Sequence, residues 1–476
     1  MNTKEFLKRN YIILSSIIVI CIVVFLFLFR KIGIKDSGIV AFATALLIID
    51  LYYASVDMKK SVFLFILCLP IFVSARKVVY FDVFFIKVSY ESIYITIMFI
   101  LNIKNIYKFV KGKLYSKESH SSKFICLVLI FAVLAVNSNI FSEHILKSLS
   151  STYISILIPV MFMLIILVNF KREDIKNIYY ALIVGIDFSC LYGLSQVLTN
   201  RMSLGDVMRN RNFITFGYHN VNIGAGIILL IVPLVLELIL YRKLNKKEKI
   251  FVYGSLFLNI IALLITFTRG AWLSFLIATF IMLISKKYKK IFYFLGIAFL
   301  LSSKWIVTFI LQRGQVNVEI LKNESIMARL QAIVASVIIV IKYPFGAGGA
   351  TFAELYKKYA MNAYMAFPES FRINAPVANY SMENAHNLWF QVAVEFGMVC
   401  SILFFIIIIN RLKVIFQNYN ENRGVFTTII IYIIYSVLTG IEFDHKGVIT
   451  GTLIIWLIFA IVEINNKEDC VIETLN

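Results

Sequence analysis

The chain has 476 residues, of which 60% are hydrophobic and 16% charged, with a mean hydropathy of +0.84. That excludes an ordinary soluble domain, which is nearer half apolar and a quarter charged. A formal charge of +20 would suggest nucleic acid on a soluble protein. Here Lys and Arg cluster between apolar runs, as in loops that face anionic lipid, so membrane lipid is expected as a partner and nucleic acid is not.

A bilayer core needs roughly 20 apolar residues per helix. Lys4, Lys8 and Arg9 precede the run Tyr11–Phe29, which is long and lacks a small-residue cleavage site, so it reads as a first membrane helix. Further spans are expected near 37–55, 61–75, 89–107, 124–142, 151–169, 177–198, 221–241, 250–267, 270–285, 290–311, 386–409, 424–440 and 447–463. The runs at 61–75 and 270–285 are short, so the expected total is 12 to 14. The fold class is an all-α polytopic membrane protein, one integral membrane domain over 1–476.

Charge sets the orientation. With the N-terminus inside, the basic segments Lys104–Lys123, Lys171–Lys176, Arg242–Lys249, Lys286–Lys290 and Arg411–Arg423 all fall inside, and so does the C-terminus. Arg30, Lys31 and Lys35 are a local exception. Residues 312–385 then form a large extracytoplasmic loop, with a helix near 327–342 expected to lie on the membrane surface rather than to span it. The six cysteines form no CxxC pair, and neither a disulfide framework nor a zinc site is expected. There is no Asp-x-Asp, P-loop or His-Glu-x-x-His motif, so no cofactor and no metal is expected.

The polar residues bordering the expected outer ends of the spans carry most information. Arg209 and Arg211 precede Phe213-Ile-Thr-Phe-Gly-Tyr-His-Asn-Val-Asn222. Arg269 sits in Thr266-Phe-Thr-Arg-Gly-Ala-Trp272 between two apolar runs with almost no loop. A guanidinium there suits a diphosphate, which accepts paired hydrogen bonds; the plainer reading is a snorkelling arginine bonded to helix-end carbonyls. His386, in Glu383-Asn-Ala-His-Asn-Leu-Trp-Phe-Gln391, is placed to act as general base toward a hydroxyl, or else to cap a helix at the interface. Glu395 is half a helical turn out of phase with His386 and is expected to be buried structure or a distal contact. Asp50 and Asp187 fall inside apolar runs, and their roles stay open.

Taken in order, these segments resemble the O-antigen ligase and O-antigen polymerase superfamily. Arg211-x-x-x-Thr215-Phe216-x-x-x-Asn220 is similar to its Arg-x-x-Gly-Thr-Phe-x-x-Pro-Asn stretch, with Ile214 and His219 replacing glycine and proline. Phe267-Thr-Arg-Gly-Ala-Trp272 resembles its Ser-Arg-Gly-Ala segment, with Thr268 for serine. Tyr343-Pro-Phe-Gly-Ala-Gly-Gly-Ala-Thr-Phe352 and Ala385-His-Asn-Leu-Trp-Phe-Gln-Val-Ala-Val-Glu-Phe-Gly397 resemble its Pro-x-x-Gly-x-Gly and His-Asn…Glu-x-Gly segments. The resemblance covers roughly 205–463.

The resemblance implies a metal-independent glycosyltransferase of the bacterial cytoplasmic membrane. It would move a glycan from a polyprenyl-pyrophosphate-linked oligosaccharide to a sugar hydroxyl on a glycan or lipid acceptor. Arg211 and Arg269 would bind the diphosphate, with Arg209, Asn220 and Asn387 as further substrate contacts, and His386 would orient or deprotonate the acceptor. Polymerisation of surface polysaccharide repeats is the favoured activity and ligation of finished glycan the alternative; a flippase and a chain-length regulator are candidate partners. A lipid-linked oligosaccharide flippase is the competing class, but related halves and short loops are not seen in this sequence.

Overall fold

The structure is a computed structural model that describes residues 19–24, 26, 34–79, 81–83, 86–115, 120–218, 220–298, 301, 324–374, 378–438 and 449–466. It is an all-α polytopic membrane protein. Among the described residues, seven helices are long and apolar enough to cross a membrane, and four shorter apolar helices accompany them. A small antiparallel hairpin, β1 (Phe81–Val83) and β2 (Ile86–Val88), is the one strand pair among those residues.

In chain order the helices are α1 (Ile34–Val56), α2 (Met58–Val79), α3 (Tyr90–Tyr115), α4 (His120–Asn137), α5 (Ile145–Thr152), α6 (Ile158–Asn169) and α7 (Ile175–Thr199). There follow α8 (Leu204–Arg209), α9 (Val221–Tyr241), α10 (Lys246–Ile265), α11 (Arg269–Leu283), α12 (Glu324–Lys342), α13 (Phe352–Met365) and α14 (Glu369–Asn374). The chain closes with α15 (Leu388–Phe396), α16 (Met398–Gln417), α17 (Arg423–Leu438) and α18 (Thr450–Asn466). The expected first span is described only at 19–24 and 26, and the span near 290–311 only at its helical start, 290–298, and at 301.

Two helices form the centre of the bundle. Nearly every side chain of α9 and α18 is buried, so both are apolar all round. Helix α9 packs against α17, α10 and α11, and α18 packs against α6. The lobe made by α12, α13 and one face of α15 has its own core, built on Ala332, Ala335, Ile339, Tyr356, Ala360 and Val394.

Two expectations need correction. The run 386–409 is not one span: Gly397, at φ +95°, breaks it into α15 and the membrane-length α16. The cause is close backbone approach. A Cβ on Gly397 would lie 2.6 Å from the Phe345 carbonyl carbon, and one on Gly346 would lie 2.6 Å from the Glu395 oxygen. Arg411, expected in a connecting segment, is instead buried inside α16. There it donates to Glu463 at 2.9 Å and lies 3.7 Å over the Phe124 ring.

The two ends of the bundle differ chemically. At one end, Arg172 pairs with Glu421, Lys176 with Glu248, and Arg242 with Glu237. Arg423 also sits at this end, between the rings of Tyr241 and Tyr419 at 4.6 Å from each. The other end holds the starts of α9, α11 and α15 and carries the candidate site.

Candidate functional site at one end of the bundle

Arg211 opens a short 3-10 turn after α8. Its Nη1 reaches four oxygens: Asn222 Oδ1 at 3.3 Å, Thr268 Oγ1 at 3.3 Å, and the carbonyls of Thr266 and Phe267 at 3.4 Å each. Thr268 Oγ1 donates to the same Asn222 oxygen at 3.2 Å, and it is the N-cap residue of α11, so Arg269 is that helix's first residue. The arginine of one motif is thereby bonded into the turn that presents the arginine of another. Both side chains are partly buried.

The rest of the 211–220 segment is held from α7. Gln196 Oε1 accepts from the backbone N–H of Thr215 at 3.0 Å and of Phe216 at 3.2 Å, and Ser189 donates to the Phe216 carbonyl. Gly193 gives the Phe216 ring room, since a Cβ there would lie 2.1 Å from it. Asn220 caps α9, its side chain accepting from Asn222 N–H at 2.8 Å. Tyr435 of α17 donates to the Asn222 carbonyl at 2.7 Å. Asn222 escaped the sequence reading because it looks like any polar residue in a first helical turn. Arg209 ends α8 and is exposed; His219 lies outside the described residues.

His386 and Asn387 form the turn before α15. Asn387 is the N-cap and accepts from the N–H groups of Trp389 at 3.0 Å and Phe390 at 3.3 Å. His386 has φ +49°, a left-handed conformation that a non-glycine residue rarely adopts. Gln391 closes the turn: its Oε1 accepts from Ala385 N–H at 2.8 Å, and its Nε2 donates to Glu395 Oε1 at 2.8 Å. Glu395, expected as buried structure or a distal contact, is buried and is tied to the histidine turn through Gln391.

The loop 343–350 completes the arrangement. The N–H groups of Ala347 and Gly348 donate to the carbonyls of Val394 and Glu395, at 3.0 and 2.8 Å, satisfying the end of α15. Gly349 N–H donates to Asn139 Oδ1, in the turn after α4, at 3.1 Å, and Ser148 Oγ of α5 donates to the Gly349 carbonyl at 3.0 Å, which binds this loop to both. Positive φ at non-glycine residues occurs, among the described residues, at Arg201, Phe216, Phe267, Ala350 and His386. Four of those five fall one to each of the four motif segments. Strain of this kind persists where surrounding structure over-determines it, and it concentrates at working sites.

The structure thus joins Arg211, Asn220 and the Arg269 turn into one bonded unit, and His386 with Asn387 into a second. Helix α15 of the second packs against α17, which also flanks α9 and α11 of the first. Asp187 lies within the helices, accepting from Ser255 at 2.8 Å and Asn259 at 3.1 Å. Asp50 is likewise internal, accepting from Tyr90.

Residues 254–405 match the family model described as O-antigen ligase. The matched stretch runs from within α10 to within α16 and includes Arg269, His386 and the loop 343–350. This agrees with the O-antigen ligase and polymerase superfamily. No curated protein matches the chain.

Proposed function

Taking residues 254–405 as an O-antigen ligase segment, we propose that the chain transfers a glycan from a polyprenyl-pyrophosphate donor to a sugar hydroxyl at the outer face of the bacterial cytoplasmic membrane. The observation that carries this reading is the convergence of Arg211 on the turn that presents Arg269. A guanidinium held at the turn that starts with a second arginine, at the end of an apolar bundle, suits a lipid diphosphate, whose charge grows as it leaves.

In this reading the acceptor oxygen bonds to the donor's anomeric carbon while the bond from that carbon to the diphosphate oxygen breaks. The electron pair stays on the diphosphate, where Arg211 and Arg269 stabilise it. The acceptor hydroxyl loses its proton to His386, which the Gln391 clamp holds in place. Asn220 and Asn387 shape the two turns as helix caps. The donor carries its own leaving group, so no metal is assigned a role.

Two activities fit this chemistry. Polymerisation of repeat units on the lipid carrier is the favoured one. Ligation of finished glycan to another acceptor is the second reading, favoured by the family description that the segment matches. The experiment is product analysis with purified protein and defined lipid-linked repeats. A ladder of lengthened lipid-linked glycan supports polymerase. Transfer to a lipid acceptor without lengthening supports ligase. Movement of the lipid across vesicles with no glycan transfer overturns both in favour of a flippase.

A further inference from the structure

A recess of about 140 Å³ lies between the turn after α4 and the α12–α13 junction. Phe141, Glu143 and His144 line it from one side, and Tyr343, Glu354 and Lys358 from the other. Among the described residues, the side chains of Glu143, His144, Glu354 and Lys358 make no hydrogen bond or ion pair with protein groups. Glu143 and Lys358, from different elements, both act on the Tyr343 hydroxyl. That hydroxyl is held above its usual range by burial first and by the Tyr359 hydroxyl next. Phe141 stacks on Phe345 at 6.0 Å between ring centres, and both rings stay largely exposed, at 55% and 65%.

Among the described residues no three His, Cys, Asp or Glu side chains converge as a metal site, and both charge signs are present, so neither a cation nor a bare phosphate matches the lining. Carboxylates that accept, an amine that donates, a phenol that does both and an aromatic face alongside are the set that suits a sugar ring. Its hydroxyls both donate and accept, and its C–H faces are apolar. A backbone bond links the recess to α15: Ala347 lines the recess and donates to Val394 in the last turn of that helix, whose first turn follows His386.

We propose that this recess is a carbohydrate subsite, binding sugar residues of a glycan substrate away from the bond being formed. This rests on the glycan-transfer reading. Its role would be to hold the chain in register, so that longer glycans bind better than single repeats.

The test uses the full-length purified protein. The double variant Glu354→Gln/Lys358→Ala and the single variant Glu143→Gln change exposed positions, and Lys357→Ala is an exposed control outside the recess. Binding is read by saturation-transfer NMR with oligosaccharide released from the lipid carrier, and transfer by KM and kcat on lipid-linked glycans of one, two and four repeats. Loss of one hydrogen bond to a charged group should raise KM for the longer glycans roughly tenfold or more, with a smaller change in kcat and parallel loss of the NMR signal. Lys357→Ala should match the unmodified protein. Unaltered oligosaccharide binding in both recess variants, with transfer intact, overturns the subsite and leaves the transfer reading standing. Oligosaccharide binding that depends on the recess, in a protein that transfers no glycan, overturns the transfer reading and leaves the subsite.

Discussion

The side chain of Gln391 accepts a hydrogen bond from the backbone of Ala385 at 2.8 Å, which fixes the residue just before His386. The same amide donates to Glu395. Gln391→Leu removes both bonds and leaves a buried carboxylate without this donor. Protein yield should fall modestly, and the released His386 turn should lower glycan transfer by about a hundredfold, the scale of small misplacements at a reacting centre. Gln391→Glu should do comparable harm, by setting two carboxyl groups together. The readout is kcat on lipid-linked repeats beside a donor-binding assay; normal kcat in Gln391→Leu would remove the clamp from the mechanism.

His386 is open to an unusual control because of its backbone. At φ +49° glycine relieves strain that alanine retains. His386→Gly should therefore be at least as stable as His386→Ala, yet both should lose about 10²–10⁴ in transfer rate if the imidazole takes the acceptor proton. Recovery of activity in His386→Gly would mean that the position serves only the turn.

The arginines can be separated from simple charge. Arg211→Lys and Arg269→Lys keep the cation and lose the planar fork. Weakening the grip on a diphosphate at such a site should cost roughly 2–4 kcal/mol of transition-state stabilisation. Both variants should express normally and turn over poorly, by quantified product on defined lipid-linked repeats. Near-normal turnover in Arg269→Lys would leave a snorkelling arginine.

The Arg411–Glu463 pair is fully buried and remote from that site. Glu463→Gln should cost about 3–5 kcal/mol, because it strands the buried Arg411; Arg411→Met should cost less, because Lys113 Nζ stays 3.9 Å from Glu463. Arg411→Met/Glu463→Leu should recover most of that. Thermal unfolding of the purified protein gives the ranking; a double variant no better than Glu463→Gln would contradict it.

Orientation follows from labelling. With all six cysteines replaced, a new cysteine at Ser381 should react with an impermeant maleimide in intact cells, whereas one at Lys247 should not. The reverse pattern would move the site to the inner face and exclude the proposed reaction there.

Much of this molecule is legible in its sequence where physics is local. Apolar length located α9, α10, α17 and α18 to within a few residues, because burying about 20 apolar residues leaves few options. The motif residues Arg211, Arg269 and His386 stood out as polar groups at helix ends. What escaped was set by distant contact. Gly397 looks harmless inside 386–409 until Gly346 is pressed against it. Arg411 looks like a loop cation because its partner is 52 residues away. Helical phase set Glu395 half a turn from His386, but His386 stands outside α15 in a left-handed turn, and Gln391 bridges back to that turn along the chain.

The lobe of α12 and α13 has a core distinct from that of the bundle, and the two meet along α15, which gives side chains to both, and through a seam of glycines and serines around Gly348, Gly349 and Ser148. Separate cores make separate cooperative units. Amide hydrogens in 332–363 should then exchange through an opening of lower free energy than those of α9 and α18. A bound glycan held across the seam would slow that exchange while leaving the bundle's own exchange untouched, so the lobe can report occupancy without any change in the membrane helices.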